Sequence, residues 1–289
     1  GFRLAASEGA APELQSWPLA YWPDGSLKWT AHAIGPQAQP SAQYRLQPQP
    51  AISPARPELV SESDGLIYID TGLLRCSVAR SGPHLLPRVE RQGHVALLDG
   101  HLLLQVRDDP DQPATSMRQY RSDITQVLIE QRGPVRVVVT LHGNHRLLDG
   151  SATLLPFVVR LYAYAGSEHL RIIHTLVVDI DEKHDFISGV GLRFSTPLDA
   201  PLYDRHVRFV SAEGGVFAEA VRGLTGLRRN PGDAIMRAQV EGRSAGPLES
   251  FAPQVSSRLQ YIPAFGSYRL LQAHPDGYQI SKRTAAGHS

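Results

Sequence analysis

The sequence runs to 289 residues, enough for about two domains and for a buried core that needs no disulfide or metal staple. Its 25 glycines and 22 prolines are in excess for a globular chain and disfavour a helical bundle; they suit short strands joined by turns. Lys and Arg (29) nearly cancel Asp and Glu (28), which counts against a nucleic-acid binder, and no apolar run reaches the roughly 18 residues of a membrane helix.

The first unit spans about Leu14 to Leu46. Ser16 to Trp22 leads into Pro23-Asp24-Gly25, where Pro presets φ and Gly accepts a positive φ. Lys28 to Ile34 returns as the second strand of a hairpin. All three tryptophans, Trp17, Trp22 and Trp29, lie here, and alternation puts Trp22 on one face with Leu27 and Trp29. In a small barrel such residues are more often core than a sugar platform. Gln47 to Pro57 holds Pro48, Pro50, Pro54 and Pro57 with little apolar content, and reads as a linker.

From Leu66 onward the period is two. Ile67/Ile69 and Leu74/Cys76/Val78 alternate with polar residues, as a half-buried sheet requires. The single Cys76 excludes a disulfide framework and any multi-cysteine zinc site, and its place among apolar residues reads as a buried, inert thiol. Val127/Ile129 and Val135/Val137/Val139/Leu141 flank Arg132-Gly133-Pro134, a hairpin. Phe157/Val159/Leu161/Ala163 and Leu170/Ile172/His174/Leu176 form one face of another, closed around Gly166-Ser167. Its other face then sets Tyr162 opposite Arg171 and Arg160 opposite Ile173. Further strands are expected at 189–194, 203–210, 216–222 and 257–261, with 218–224 open to a short helix. The fold class is all-β: a small N-terminal β unit followed by a large sandwich.

Of the 29 cations only Lys28, Lys183 and Lys282 are lysine; the rest are arginine, which grips carboxylates through two parallel hydrogen bonds. Between Leu202 and Arg229 stand Arg205, Arg208, Arg222, Arg228 and Arg229 against Asp204, Glu213 and Glu219. As a strand, Leu202 to Val210 places Asp204, His206 and Arg208 on one face and Tyr203, Arg205, Val207 and Phe209 on the other. An acidic sugar suits such a surface: arginine pairs its carboxylate, and histidine or tyrosine exchanges a proton. A solvated strand face with an Asp204–His206–Arg208 network is the plainer reading. His174, among Leu170, Ile172, Leu176 and Val178, reads as a hydrogen-bonded core histidine. The carboxylates of Asp179 to Asp185 lack the spacing of a calcium loop and read as an exposed loop. There is no nucleophile elbow, P-loop, dinucleotide fingerprint or zinc-protease motif.

Several segments together resemble one family. Trp17-Pro18-Leu19-Ala20-Tyr21-Trp22-Pro23-Asp24-Gly25-Ser26-Leu27-Lys28-Trp29-Thr30-Ala31-His32 is similar to the opening domain of the exo-rhamnogalacturonan lyases, polysaccharide lyase family twenty-six, and their bacterial relatives. Also similar are Arg160 to Ser167, Arg171 to Thr175, Asp185 to Phe194, Leu202 to Phe209, Leu224 to Arg229 and Lys282 to Ser289. The resemblance implies an N-terminal β-barrel-like domain, a central antiparallel β-sandwich and a C-terminal α/α toroid. The chain opens at Gly1-Phe2-Arg3 without a methionine, as a processed, trimmed or partial chain would. It is expected to hold a clipped barrel (1–50), a linker (51–64), the sandwich (65–267) and, at 268–289, the start of a connection to the toroid.

The implied chemistry is β-elimination at a uronic acid of rhamnogalacturonan-type pectin. Such an enzyme neutralises the carboxylate, removes the C5 proton and protonates the O4 leaving group. Arg205, Arg208, Arg228 and Arg229 are the candidates for the carboxylate, His206 and Tyr203 for base or acid, with Lys282 and His288 nearer the toroid junction. No cofactor or metal is expected. The expected partner is an acidic plant polysaccharide or its oligosaccharides, not a nucleic acid or a membrane. An extracytoplasmic or secreted location is expected, although no signal-peptide pattern opens the chain. The alternative is a non-catalytic module that binds acidic carbohydrate.

Overall fold

In the computed structural model, which describes residues 1–7, 9–36, 43–49, 57–109, 117–197, 206–210, 216–220, 237, 261–263, 268–274 and 277–282, the Pro23-Asp24-Gly25 turn closes the first hairpin. Gly25 takes φ +82°, and the Asp24 carboxylate accepts both the backbone N–H and the hydroxyl of Ser26, at 2.9 and 2.6 Å. Those bonds favour the charged form and hold the Asp24 carboxyl below its usual range. The hairpin strands are β2 (Leu14–Tyr21) and β3 (Leu27–Ile34), while β1 (Phe2–Ala6) pairs with β4 (Tyr44–Pro48), all antiparallel.

The turn sets the tryptophans differently from simple alternation. The Trp22 N–H donates to the Ser26 carbonyl at 2.8 Å, so Trp22 sits opposite Ser26, one step beyond the Tyr21–Leu27 pair. It therefore shares a face with Ser26 and Lys28 rather than with Leu27 and Trp29, and the Lys28 ammonium lies 4.2 Å from its ring centre. Nor are these side chains core: Trp22 is 50% exposed and Trp29 62%.

The next ten strands form one antiparallel sheet. Nine follow one another along a single path, β5 (Val60–Ser63), β6 (Leu66–Asp70), β7 (Leu74–Ala79), β8 (Leu86–Arg91), β9 (His94–Arg107), β10 (Met117–Gln131), β11 (Arg136–Leu147), β12 (Thr153–Tyr164) and β13 (Leu170–Leu176), and β14 (Phe186–Ser195) joins off that path. Strand β9 is the hinge of the path. Its first half pairs β8, its second half pairs β10, and its other edge carries β14. Inward residues of β6 to β8 (Ile67, Ile69, Cys76, Val78, Leu86, Val89) thereby share one core with those of β11 and β12 (Val137, Val139, Leu141, Phe157, Val159, Leu161, Ala163). This is the sandwich that the period-two pattern demands. Fully burying each branched or aromatic side chain contributes about 1.5–3 kcal/mol. Cys76 lies in that core as an inert thiol, and burial pushes its pKa up to about 12.

The expected hairpins are present. The β12–β13 register sets Tyr162 opposite Arg171 and Arg160 opposite Ile173, and β10 turns into β11 across 132–135. All of these strands belong to a compact unit, Gly1–Pro197. A second unit, Leu198–Ser289, contains β15 (His206–Val210) paired with β16 (Val216–Ala220), and a three-stranded sheet of β17 (Tyr261–Pro263), β18 (Tyr268–His274) and β19 (Gly277–Lys282). Ala218 and Ala220 are in a strand, so the helical alternative fails for them.

Candidate functional site

The residues named from sequence all fall in the second unit. His206 and Arg208 occupy alternate positions of β15, opposite Ala220 and Ala218 of β16. Lys282 ends β19, opposite Tyr268. Tyr203, Arg205, Arg228, Arg229 and His288 lie outside the described residues. The backbone thus joins His206 and Arg208 on one strand and places Lys282 in a different sheet.

The first unit holds an arrangement that the sequence does not announce. The Gln15 side chain of β2 reaches the start of β11, where its carbonyl oxygen accepts the backbone N–H of Val135 (3.2 Å) and Arg136 (2.7 Å). It passes over Gly133 so closely that a Cβ there would collide with the Gln15 amide. Docking β2 in this way sets Trp17 beside Arg136, with the guanidinium carbon 4.5 Å from the indole centre. The same guanidinium is 5.4 Å from the Tyr162 ring, and that of Arg171 is 5.8 Å from it. The result is a ladder of aromatic rings and guanidinium groups running from β2 through β11 and β12 to β13. Each contact contributes roughly 0.5–1 kcal/mol at such partly exposed positions.

The surrounding arginines are neutralised. Arg160 pairs with Glu130 at 3.1 Å, Arg132 reaches Glu58 and Glu62, and Arg91 holds Glu168 at 2.5 Å. Arg136 and Arg171 have no carboxylate partner among the described residues. Arg136 donates its Nε–H to Gln131 at 2.9 Å, and Arg171 lies against the Tyr162 ring.

A second cluster lies inside the sandwich. His145 is fully buried; its Nδ1–H donates to the Leu155 carbonyl at 2.7 Å, and its Nε2 has no partner among the described residues. Leu155 adopts φ +48°, a left-handed conformation that leucine rarely takes and that turns up beside the register shift between β11 and β12. The His174 ring lies 6.0 Å from that of His145, Phe157 packs against both at 6.1 and 5.2 Å, and Nε2 of His174 is also unpartnered. His174 is therefore half-buried against the core rather than within it, and the hydrogen bond expected of it is missing at Nε2 among the described residues. Burial, and secondarily His145, lowers its pKa to about 4; burial also lowers that of His145.

Both rings are neutral near pH 7, and the sign of the pH dependence follows. Folded His174 binds a proton only near pH 4, whereas the unfolded chain binds it from about 6.5 downward. Stability is full above pH 6.5 and declines as the pH falls towards 4, by about 2 kcal/mol once partial solvent screening is allowed for. Urea unfolding across this window checks it: His174→Leu should flatten the slope, and an unchanged slope would place the acid sensitivity elsewhere.

The acidic loop at 179–185 is used internally. Asp181 accepts the Lys183 N–H and pairs with His184 at 2.8 Å, which raises the histidine pKa and lowers that of the carboxyl. Asp185 and Asp108 flank Arg118 at 2.7 and 2.6 Å. A cavity of about 480 Å³ lies beside this arginine, lined also by Met117, Leu147 and Leu148, but its cation is already neutralised.

Two family models match the chain, one after the other. Residues 1–49 match the PcRGLX-like N-terminal RIFT barrel domain, and residues 59–289 match the PcRGLX-like protein central beta sandwich domain. The chain is also 31% identical over 276 residues to YetA of Bacillus subtilis (strain 168), an uncharacterized protein; the match takes in 94% of this chain and 32% of YetA. The chain thus spans about a third of that relative's length. With barrel and sandwich matched in order along nearly its whole length, the chain belongs to the PcRGLX-like family, which is related to the rhamnogalacturonan exolyases, and carries that family's two β-domains.

Proposed function

We propose that this chain supplies the β-domains of a polysaccharide lyase that cleaves rhamnogalacturonan-type pectin by β-elimination at a uronic acid. The observation that carries this reading is the match, in order, of both β-domains to the PcRGLX-like family. The chemistry asks for a cation at the uronate carboxylate, which makes the C5 proton acidic by stabilising the enolate-like charge that follows its removal. A base must take that proton, and an acid must protonate O4 as the C4–O4 bond breaks and the C4–C5 double bond forms. Arg208 on β15, with Arg205, Arg228 and Arg229 near it in sequence, is proposed for the carboxylate. His206, two residues from Arg208, or Tyr203 is proposed for the proton; Lys282 and His288 are the candidates towards the C-terminal end.

The test uses rhamnogalacturonan with this chain and with the longest polypeptide its gene encodes, following the ultraviolet absorbance of the unsaturated uronate. Turnover is expected from the longer protein, and His206→Ala or Arg208→Ala in it should lower the rate by about 10²–10⁴-fold without unfolding the protein. Wild-type rates in both variants would return β15 to a solvated strand. Saturable glycan binding with no turnover in either protein would instead establish a non-catalytic binding module.

A further inference from the structure

We infer that the ladder of Trp17, Arg136, Tyr162 and Arg171 is a binding subsite for the carboxylates of an acidic oligosaccharide, separate from the residues proposed for catalysis. The inference deepens the reading of an acidic glycan as the partner and rests on it.

The argument begins with unmet hydrogen-bonding capacity. A guanidinium carries five N–H donors in a plane and discharges them best on a carboxylate. In the first unit, eight arginines (75, 80, 88, 91, 118, 132, 146 and 160) do so on the chain's own carboxylates. Among the described residues Arg171 has the face of Tyr162 and no carboxylate, and Arg136 has Gln131 for its Nε–H and aromatic rings for its faces. Stacking occupies the faces of a guanidinium and leaves its donor edge available. It also restrains a long side chain before any ligand arrives, so less entropy is lost when the edge is used.

Two carboxylates of neighbouring strands and turns are already engaged. Glu130 is held by Arg160 on the same outer face, and Glu168, which precedes β13, is held by Arg91 and by Gln92. The face therefore presents two cations near one tyrosine ring, neither with a carboxylate partner among the described residues. A polyuronate offers carboxylates at intervals along one chain, which suits two such groups better than a single small anion does. The backbone beneath is regular sheet: Tyr162 sits directly opposite Arg171, and Arg136 lies on the adjoining strand β11. The ladder is thus carried on strands rather than on a loop.

The experiment is calorimetric titration of the chain with rhamnogalacturonan oligosaccharides and with the same oligosaccharides after carboxyl reduction. The chain is expected to bind the acidic form, and the reduced form should bind at least about tenfold more weakly, as should Arg171→Gln with the acidic form. Arg171→Lys, which keeps the charge and loses the fork, should fall between them. Thermal melting of each variant verifies folding, and the exposed Arg171 makes little of the fold depend on it. Undiminished acidic-glycan binding by folded Arg171→Gln would overturn the subsite and leave the proposed function standing. Equal binding of acidic and reduced forms would overturn the role of charge. Absence of binding to the acidic form by the unaltered chain would overturn the subsite, and with lyase activity also absent it would remove the acidic-glycan reading itself.

Discussion

Phe157→Ala is expected to lower the unfolding free energy by about 4 kcal/mol, near the upper end for a large-to-small change in a core. Phe157 is 2% exposed and belongs to the cluster that joins the two layers of the sandwich. Its ring also packs against His145 and His174. Truncation would remove the transfer free energy of the ring and leave a cavity that the hydrogen-bonded strands β11 and β12 cannot fully collapse to fill. It would also leave two histidines, each with an Nε2 that has no partner among the described residues, beside the vacated volume. Denaturant unfolding would measure the loss. A change below about 1.5 kcal/mol, the range of volume-conserving swaps, would mean the ring does not bridge the layers. Phe157→Leu keeps most of the apolar volume and should cost less than half as much.

Much of the sandwich is legible in the sequence because its signal is local. Alternation along 157–163 and 170–176 requires one face inside, and the short Gly166-Ser167 connection pins the register, so the Tyr162–Arg171 and Arg160–Ile173 pairs follow directly. The tryptophan hairpin departs from expectation through one detail of the same logic. The strand pairing continues one step beyond Tyr21–Leu27 to Trp22–Ser26, and a side chain at the mouth of a turn takes its face from its partner, not from a count along the chain. Half of the ladder is likewise visible in sequence, since Tyr162 and Arg171 are cross-strand neighbours. The other half is not. Trp17 and Arg136 stand 119 positions apart, and only the Gln15 amide bonded to the β11 backbone brings them together. His145 gives no signal because its burial follows from a register shift and from the left-handed Leu155, neither of which has a sequence pattern. The skew towards arginine directs attention to 205–229. In the first unit, eight arginines prove to be engaged in ion pairs with the chain's own carboxylates, whereas Arg136 and Arg171 are the ones that stack on aromatic rings.

Gly143→Ala should be the most damaging of the small-to-large changes, destabilising the protein by about 3 kcal/mol. Gly143 lies in β11 between Ile124 of β10 and Phe157 of β12. A Cβ at this position would meet the Asp123 carbonyl oxygen well inside van der Waals contact and the Phe157 Cζ at 2.6 Å. A flexible side chain could yield, but the first of these neighbours is backbone, held in the β10–β11 ladder just before the register shift between Ile124 and Gln126. Relief would require β10 to move away from β11, breaking the hydrogen bonds that carry Ser122, Asp123 and the Arg146 ion pair. The second neighbour is the ring that bridges the layers, so the strain would enter the core as well. Gly191→Ala in β14 is the control, because nothing lies within 4 Å of the place its new methyl group would take and the residue has no positive φ. It should be neutral or slightly stabilising through the smaller entropy of the unfolded chain. Melting temperatures measured side by side would decide: equal values for the two variants would show that β10 and β11 can separate freely, and that the close approach at Gly143 is not what fixes their spacing.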